Sequence, residues 1–442
     1  MTRADRNLRK TALRRPMKTD PNGWFTENCS SRLVGNSICR HDGSQPGVPS
    51  AFSKPCEVSG EESPFKIECN ALSHGIYGDK MRLVRRSMVG IALLIATSLA
   101  GWSQQSSGKR KIIIDQDAAG PGGTDQQAIL LLVQSPQTEV LGVTVVTGDA
   151  WLKEEVAHTL RMLEIIGRTD IPVVAGAEYP LVRRQEDTEL WEQQFGTVQW
   201  VGAWTPRQYH PADQLGEMPE GKPTTKALDE DAAHFLVRMV RKYPHEITIY
   251  EGGPMTNLAL AISIDPEFAG LPKELVFMGG SLNPKTDDPE FVNAPRHEFN
   301  LWFDPEAAHI VLMAPWKKIV CTTVDISVKT RVTQKLLDRV KAGNTPAARY
   351  VGSYSRVFGE YNYLWDELTA LAWLDPSLIT AKDTRYLDVD LSRGAGYGST
   401  LSWTERDKPK IVGPPVEVQV DLDTERFYKM FVDLLTAPTP KP

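Results

Sequence analysis

From Lys109 onward, short apolar runs alternate with segments whose apolar residues recur every three or four positions. KIIID (111–115), EVLGVTVVTG (139–148), IPVVAG, ITIYEGG, ELVFMGG and KKIVCTTVDI are the strand-like runs. Between them, 124–135, WLKEEVAHTLRMLEIIG (151–167), DAAHFLVRMVRKYP, TNLALAISI and DPEAAHIVLMAP read as helices. In the second of these, Val156, Leu160 and Leu163 share one face. Apolar strands spaced by helices predict an α/β fold: a mainly parallel, doubly wound sheet in a single domain. TRYLDVDLS and PPVEVQVDLD alternate as exposed strands before a last helix, RFYKMFVDLL.

In such sheets a ligand lies beyond the carboxyl ends of the strands. The polar residues that follow the apolar runs are Asp115 to Asp125, Asp149, Gly252 to Asn257 and Gly279 to Asn283. One Gly-rich strand end is ordinary turn chemistry, but a succession of them ending in Asp, Thr or Asn points to a shared site. The first loop, DQDAAGPGGTDQQ (115–127), fails as a dinucleotide fingerprint. Gly120 and Gly122 give G-x-G, but Asp125 stands where the third glycine belongs, and no Gly-Lys-Ser/Thr follows. Its aspartates would repel phosphate. Hard oxygen ligands on a glycine loop suit Ca²⁺ or Mg²⁺, the plain alternative being a solvated acidic turn.

Upstream of the body the pattern is absent. Residues 1–80 carry no sustained period of either kind. MRLVRRSMVGIALLIATSLAGWSQQSSGKRK, from Met81, has a basic start, an apolar run from Met88 to Ala100, and small residues at Ser98 and Ala100. That is the layout of a secretory signal peptide. The run is short beside the about 20 residues of a membrane span. The expectation is translation from Met81, with 1–80 an extension, 81–108 signal and linker, and 109–442 a periplasmic or secreted domain without a stable membrane anchor. An uncleaved signal anchor is the competing reading. Cys29, Cys39, Cys56 and Cys69 fall in the extension, and Cys321 alone lies in the body, so the body forms no internal disulfide. With a net charge of −6 on 442 residues, nucleic acid is not an expected partner.

The loop with its helix is followed by GVTVVTGD (142–149), GGPMTNLALA (252–261), VFMGGS (276–281), EFNLWFDPEAA (298–308) and LWDELTALAWLDP (364–376). In order and spacing, these segments resemble the inosine–uridine-preferring nucleoside hydrolase family over residues 110–437. The resemblance implies a bound Ca²⁺ and hydrolysis of the N-glycosidic bond of a small ribosyl substrate, by a homodimer or homotetramer. It implies that Asp117 contacts the metal and acts as general base on the metal-bound water. Asp125 bridges to the metal, Asp366 is the distal ligand, and Thr256 offers its backbone carbonyl. Asp115 supports them from behind, and Glu298 and Asn300 grip sugar hydroxyls.

Four positions depart from the family pattern. Thr124 stands where an aspartate that holds the ribose is usual, and Asp149 where asparagine is common. Asn293 lies one position from the asparagine that precedes Glu298, and Trp365 replaces a histidine that protonates the leaving base. All four remain candidate substrate contacts. His210 and His297 are the candidate replacement acids. The aromatics Trp191, Trp200 and Trp204 form either a lid over a planar ligand or the packing of an insertion. These departures leave open a hydrolase of another ribosylated metabolite, or a binder of ribose or nucleoside without catalysis. N-terminal sequencing of the exported protein should find the mature end between residues 98 and 108; an end elsewhere contradicts the signal-peptide reading.

Overall fold

The computed structural model describes residues 108–205, 210–357, 359 and 362–441. The extension, the signal segment up to residue 107 and the four N-terminal cysteines lie outside the described residues.

The central sheet contains β1 (Arg110–Gln116), β2 (Thr138–Val145), β3 (Val173–Ala175), β4 (Thr248–Glu251), β5 (Glu274–Met278) and β6 (Ile319–Thr322). It is completed by β7 (Ile379–Val389), β8 (Thr400–Trp403) and β9 (Val416–Leu422). The helices begin with α1 (Thr124–Gln134), α2 (Leu152–Ile166), α3 (Gln185–Phe195), α4 (Ala232–Lys242) and α5 (Thr256–Ile264). Next come α6 (Pro289–Asn293), α7 (Phe299–Phe303), α8 (Pro305–Met313) and α9 (Val324–Ser327). The last are α10 (Gln334–Lys341), α11 (Pro346–Tyr354), α12 (Trp365–Leu374) and α13 (Thr424–Thr436).

The strand order is β8-β7-β9-β6-β5-β4-β1-β2-β3. All neighbours from β9 to β3 pair in parallel, while β7 runs antiparallel to β9 and to β8. The strand alternation explains why both faces are covered. Ile112 and Ile114 of β1 pack into one buried cluster with Leu130 and Leu131 of α1 and Leu368 and Leu371 of α12. Ile113 faces the opposite cluster, with Phe235 of α4 and Leu258 of α5. Gly167 ends α2 in the left-handed region (φ 75°), its N–H returning to the carbonyls of Glu164 and Leu163.

TRYLDVDLS and PPVEVQVDLD were expected as exposed strands, but both lie inside the sheet: β7 is antiparallel to β8 on one side and to β9 on the other, and β9 is parallel to β6 on its far side. Alternation reports that a strand has two unlike faces; it carries no information about which neighbours its edges meet.

Candidate active site

The sheet reverses direction of winding between β1 and β4, which are adjacent in space, so the loops leaving their carboxyl ends part and open a crevice. Asp117 stands just beyond the end of β1, at the mouth of that crevice. Its carboxylate is seated between two glycines. A Cβ on Gly148 would fall 2.1 Å from Asp117 Oδ2, and one on Gly253 would lie 3.1 Å from Oδ1. The N–H of Asp149 donates to Asp117 Oδ2 at 3.1 Å.

Around this seat the other acids are placed by separate elements. Asp125 lies in the first turn of α1 and Asp366 in the first turn of α12, and those two helices pack side by side. Their carboxyls influence each other's ionisation, and Asp366 Oδ1 is buried with no hydrogen-bond partner. Asp115 points behind the site, accepting from Thr144 Oγ1 at 2.6 Å and Asn257 Nδ2 at 2.8 Å. Thr256 is buried at the start of α5, beside Asn257, and donates its hydroxyl to Asp304 at 2.7 Å. Glu298 caps α7, accepting from the N–H groups of Asn300 (2.8 Å), Leu301 (3.0 Å) and Gly280 (2.9 Å). Asn300 Nδ2 donates to the carbonyl of Gly252 at 3.0 Å, which ties α7 to the loop after β4.

The glycines of the first loop let it pack closely against its neighbours. Gly122 adopts φ +74° and approaches α11 so closely that a Cβ would lie 2.9 Å from Ser355 N. Its carbonyl accepts from Ser355 Oγ (2.8 Å) and Gln127 Nε2 (3.1 Å), and its N–H donates to Gln126 Oε1 (2.9 Å). The loop is pinned, and it delivers Asp117 and Asp125 to fixed places.

Burial pushes the carboxyls of Asp117, Asp125 and Asp366 well above the usual range, and the charges of neighbouring acids push them further. For Asp117 those neighbours are Asp149, Asp125, Glu155 and Asp366. Burial also raises Asp115 and Asp149 to about 6, against hydrogen bonds from Thr144 and Asn257 in one case and Trp200 in the other. Among the described residues, no group of three or more His, Cys, Asp or Glu side chains is placed to hold a metal ion as it stands. The donor set nevertheless fits a hard divalent cation. It is all oxygen, it is buried, it repels itself, and one of its oxygens lacks a partner.

The sequence profile of the inosine-uridine preferring nucleoside hydrolases matches residues 112–429. The chain belongs to that family. A probable uridine nucleosidase of Arabidopsis thaliana is 29% identical, over 74% of this chain and 98% of its own. The inosine-uridine preferring nucleoside hydrolase of Crithidia fasciculata is 28% identical, over 74% of this chain and 97% of its own. A solved plant nucleoside hydrolase superposes with a TM-score of 0.60 at 28% identity, covering 74% of this chain and 99% of that one. The chain is thus a nucleoside hydrolase-type N-glycosyl hydrolase, of a family that works with a metal.

Within this nucleoside hydrolase framework, some expected residues sit elsewhere. Asn293 is exposed at the end of α6 and is not drawn into the acidic cluster. Trp365 is half-buried beside Asp366, packed edge-on against Phe291 and tilted against Tyr363, with centroids 5.8 and 4.8 Å away. Of the two histidines, His210 pairs with Glu154 at 2.7 Å. His297 adjoins Glu298, and its Nε2 is buried without a partner. Thr124 donates its hydroxyl to Asp125 Oδ1 at 3.1 Å. Trp191 donates to the carbonyl of Gly394, and Trp204 stacks on Phe303, so these two pack the insertion rather than form a lid.

Sequence reasoning missed Glu155, Glu251 and Glu367, all fully buried near the aspartates. Glu251, the acid that closes ITIYE just before Gly-Gly, carried the strand-end signal that exposed the others.

A stability consequence follows from the raised carboxyls. Asp115, for example, titrates near 3.8 unfolded and about 6 folded. Between those values the native state holds more protons than the unfolded state, so its stability is greatest below that interval and falls as pH rises through it. Chelated protein should therefore lose about 5 °C or more of Tm between pH 4 and pH 7, with added Ca²⁺ restoring most at pH 7. A melting temperature indifferent to both pH and Ca²⁺ in calorimetry contradicts this picture of the cluster.

Proposed function

We propose that the chain is a Ca²⁺-dependent hydrolase of the N-glycosidic bond of ribonucleosides, with Asp117 as general base. The observation that carries this reading is the seat of Asp117, held between Gly148 and Gly253 with Asp149 N–H on one oxygen, at the switch point of the sheet. Asp117, Asp125, Asp366 and the backbone carbonyl of Thr256 would hold the cation. When bound, such an ion acidifies water and fixes sugar hydroxyls.

The remaining chemistry belongs to side chains. Cleavage of a C1′–N bond builds positive charge on the ribose ring, which surrounding carboxylates stabilise. Asp117 removes a proton from the attacking water. Thr124, Asp149, Glu298 and Asn300 offer oxygens and nitrogens to the ribose hydroxyls. His297 gives its proton to the departing base, a role supported by its place next to Glu298 and by its unpartnered Nε2. The basic, apolar and small residues of 81–100 support work outside the cytoplasm.

Asp117→Ala should lower kcat/KM on a panel of ribonucleosides by about 10²–10⁴-fold, read as released ribose with the fold retained by circular dichroism. Residual activity within a factor of ten of wild type would remove Asp117 from the role of base. His297→Ala should cost about 10²-fold with ribonucleosides but little with 4-nitrophenyl riboside, whose leaving group departs as a stable anion. Equal losses on both substrates would mean that His297 does not protonate the leaving group.

A further inference from the structure

The insertion that contains α3 is fastened to the site by contacts at Trp200, Gly202, Ala203 and Trp204. Trp200 Nε1 donates to Asp149 Oδ1 at 2.5 Å. The N–H of Ala203 donates to the carbonyl of Gly148 at 2.8 Å. Gly202, at φ +57°, lies so close that a Cβ would stand 2.1 Å from that carbonyl oxygen and 2.5 Å from Phe299 Cζ. Trp204 is buried and stacks on Phe303 with centroids 4.4 Å apart. The insertion therefore spans from the loop after β2, which carries Asp149, to α7, which Glu298 caps.

Asp149 differs from the other acids of the cluster. It is half-buried as a residue, whereas Asp117, Asp125, Asp366 and Glu298 are buried, and among the described residues its Oδ2 takes part in no hydrogen bond. Thr124, also half-buried, directs its hydroxyl to Asp125. An indole N–H is a single donor with no acceptor capacity. It fixes Oδ1 of Asp149 and leaves the lone pairs of Oδ2 available. The stacking of Trp204 and the contact at Gly202 hold the segment that carries the indole, so the carboxylate is oriented before any ligand arrives.

We propose that Trp200 is a positioning residue: through Asp149 Oδ1 it aims Asp149 Oδ2 at one ribose hydroxyl, which makes the insertion part of the sugar-reading machinery. This inference rests on the ribonucleoside reading above. It assigns substrate discrimination to a residue that touches no reacting atom. A purely structural role for Trp200, anchoring the insertion, is the alternative that the experiment must separate.

The test is Trp200→Phe, which keeps the ring and its packing and removes the donor. KM for a ribonucleoside should rise about ten-fold with kcat changed less than about three-fold, the pattern of lost binding that is common to ground and transition states. With the 2′-, 3′- and 5′-deoxynucleosides, the penalty should vanish for one analogue, the one that lacks the hydroxyl Asp149 accepts, and persist for the other two. In an Asp149→Ala background, Trp200→Phe should add nothing. Asp149→Ala alone, with the indole in place, should give the same analogue pattern, which keeps the test decisive if Trp200→Phe is poorly folded.

Binding of D-ribose and its 2-, 3- and 5-deoxy forms by calorimetry gives the comparison without turnover. Wild-type ribose binding with no hydrolysis of any nucleoside would defeat the functional reading while leaving Trp200 testable. An equal penalty on all analogues, additive effects of the two substitutions, an unchanged KM, or no ribose binding by the wild type would overturn the proposal.

Discussion

The site is organised around a repulsion. Asp117, Asp125, Asp149 and Asp366 are brought together where water is largely excluded, and burial together with the charge of neighbouring acids makes their ionisation harder. Left alone, such a cluster relaxes by taking up protons, the direction in which burial pushes Asp125 and Asp366. A divalent cation relieves the same strain while leaving the carboxylates charged, and charged carboxylates are what water activation and oxocarbenium stabilisation both require. Binding of the ion and competence for chemistry are then two consequences of one electrostatic problem.

The fold supplies what makes that arrangement sustainable. Parallel strands with both faces covered anchor the backbone just beneath the acids, and the reversal of winding between β1 and β4 opens the space above them. Glycines at 148 and 253 let the carboxylate of Asp117 approach closer than any side chain would permit. Backbone N–H groups and buried amides absorb part of the negative charge, as at Glu298 and Asp115. The insertion adds a further constraint from outside, through Trp200 and Trp204.

Much of this was legible in the order of residues. Apolar runs of the right length, each closed by Gly, Asp or Thr, announced a parallel sheet and put Asp117, Asp125 and Asp149 beyond strand ends. Asp366 was reachable only through the family resemblance, because nothing local distinguishes WDEL from an ordinary amphipathic helix start. The interior place of β9 was hidden, since pairing partners are set by long-range packing and not by alternation. Glu155 and Glu367 were hidden for a related reason: a glutamate on a helix reads as a solvated face until the packing around it is known. The contact of Trp200 with Asp149 joins residues 51 positions apart and depends on how the insertion docks.

The central claim is that this acidic cluster is a cation site held in reserve by protons. The most direct measurement is calorimetric titration of the chelated protein with Ca²⁺ at pH 6 in buffers of different ionisation enthalpy. The account predicts one ion per chain and release of about one proton on binding, displaced from the acidic cluster. Binding that releases no proton, or no binding at all, would contradict it.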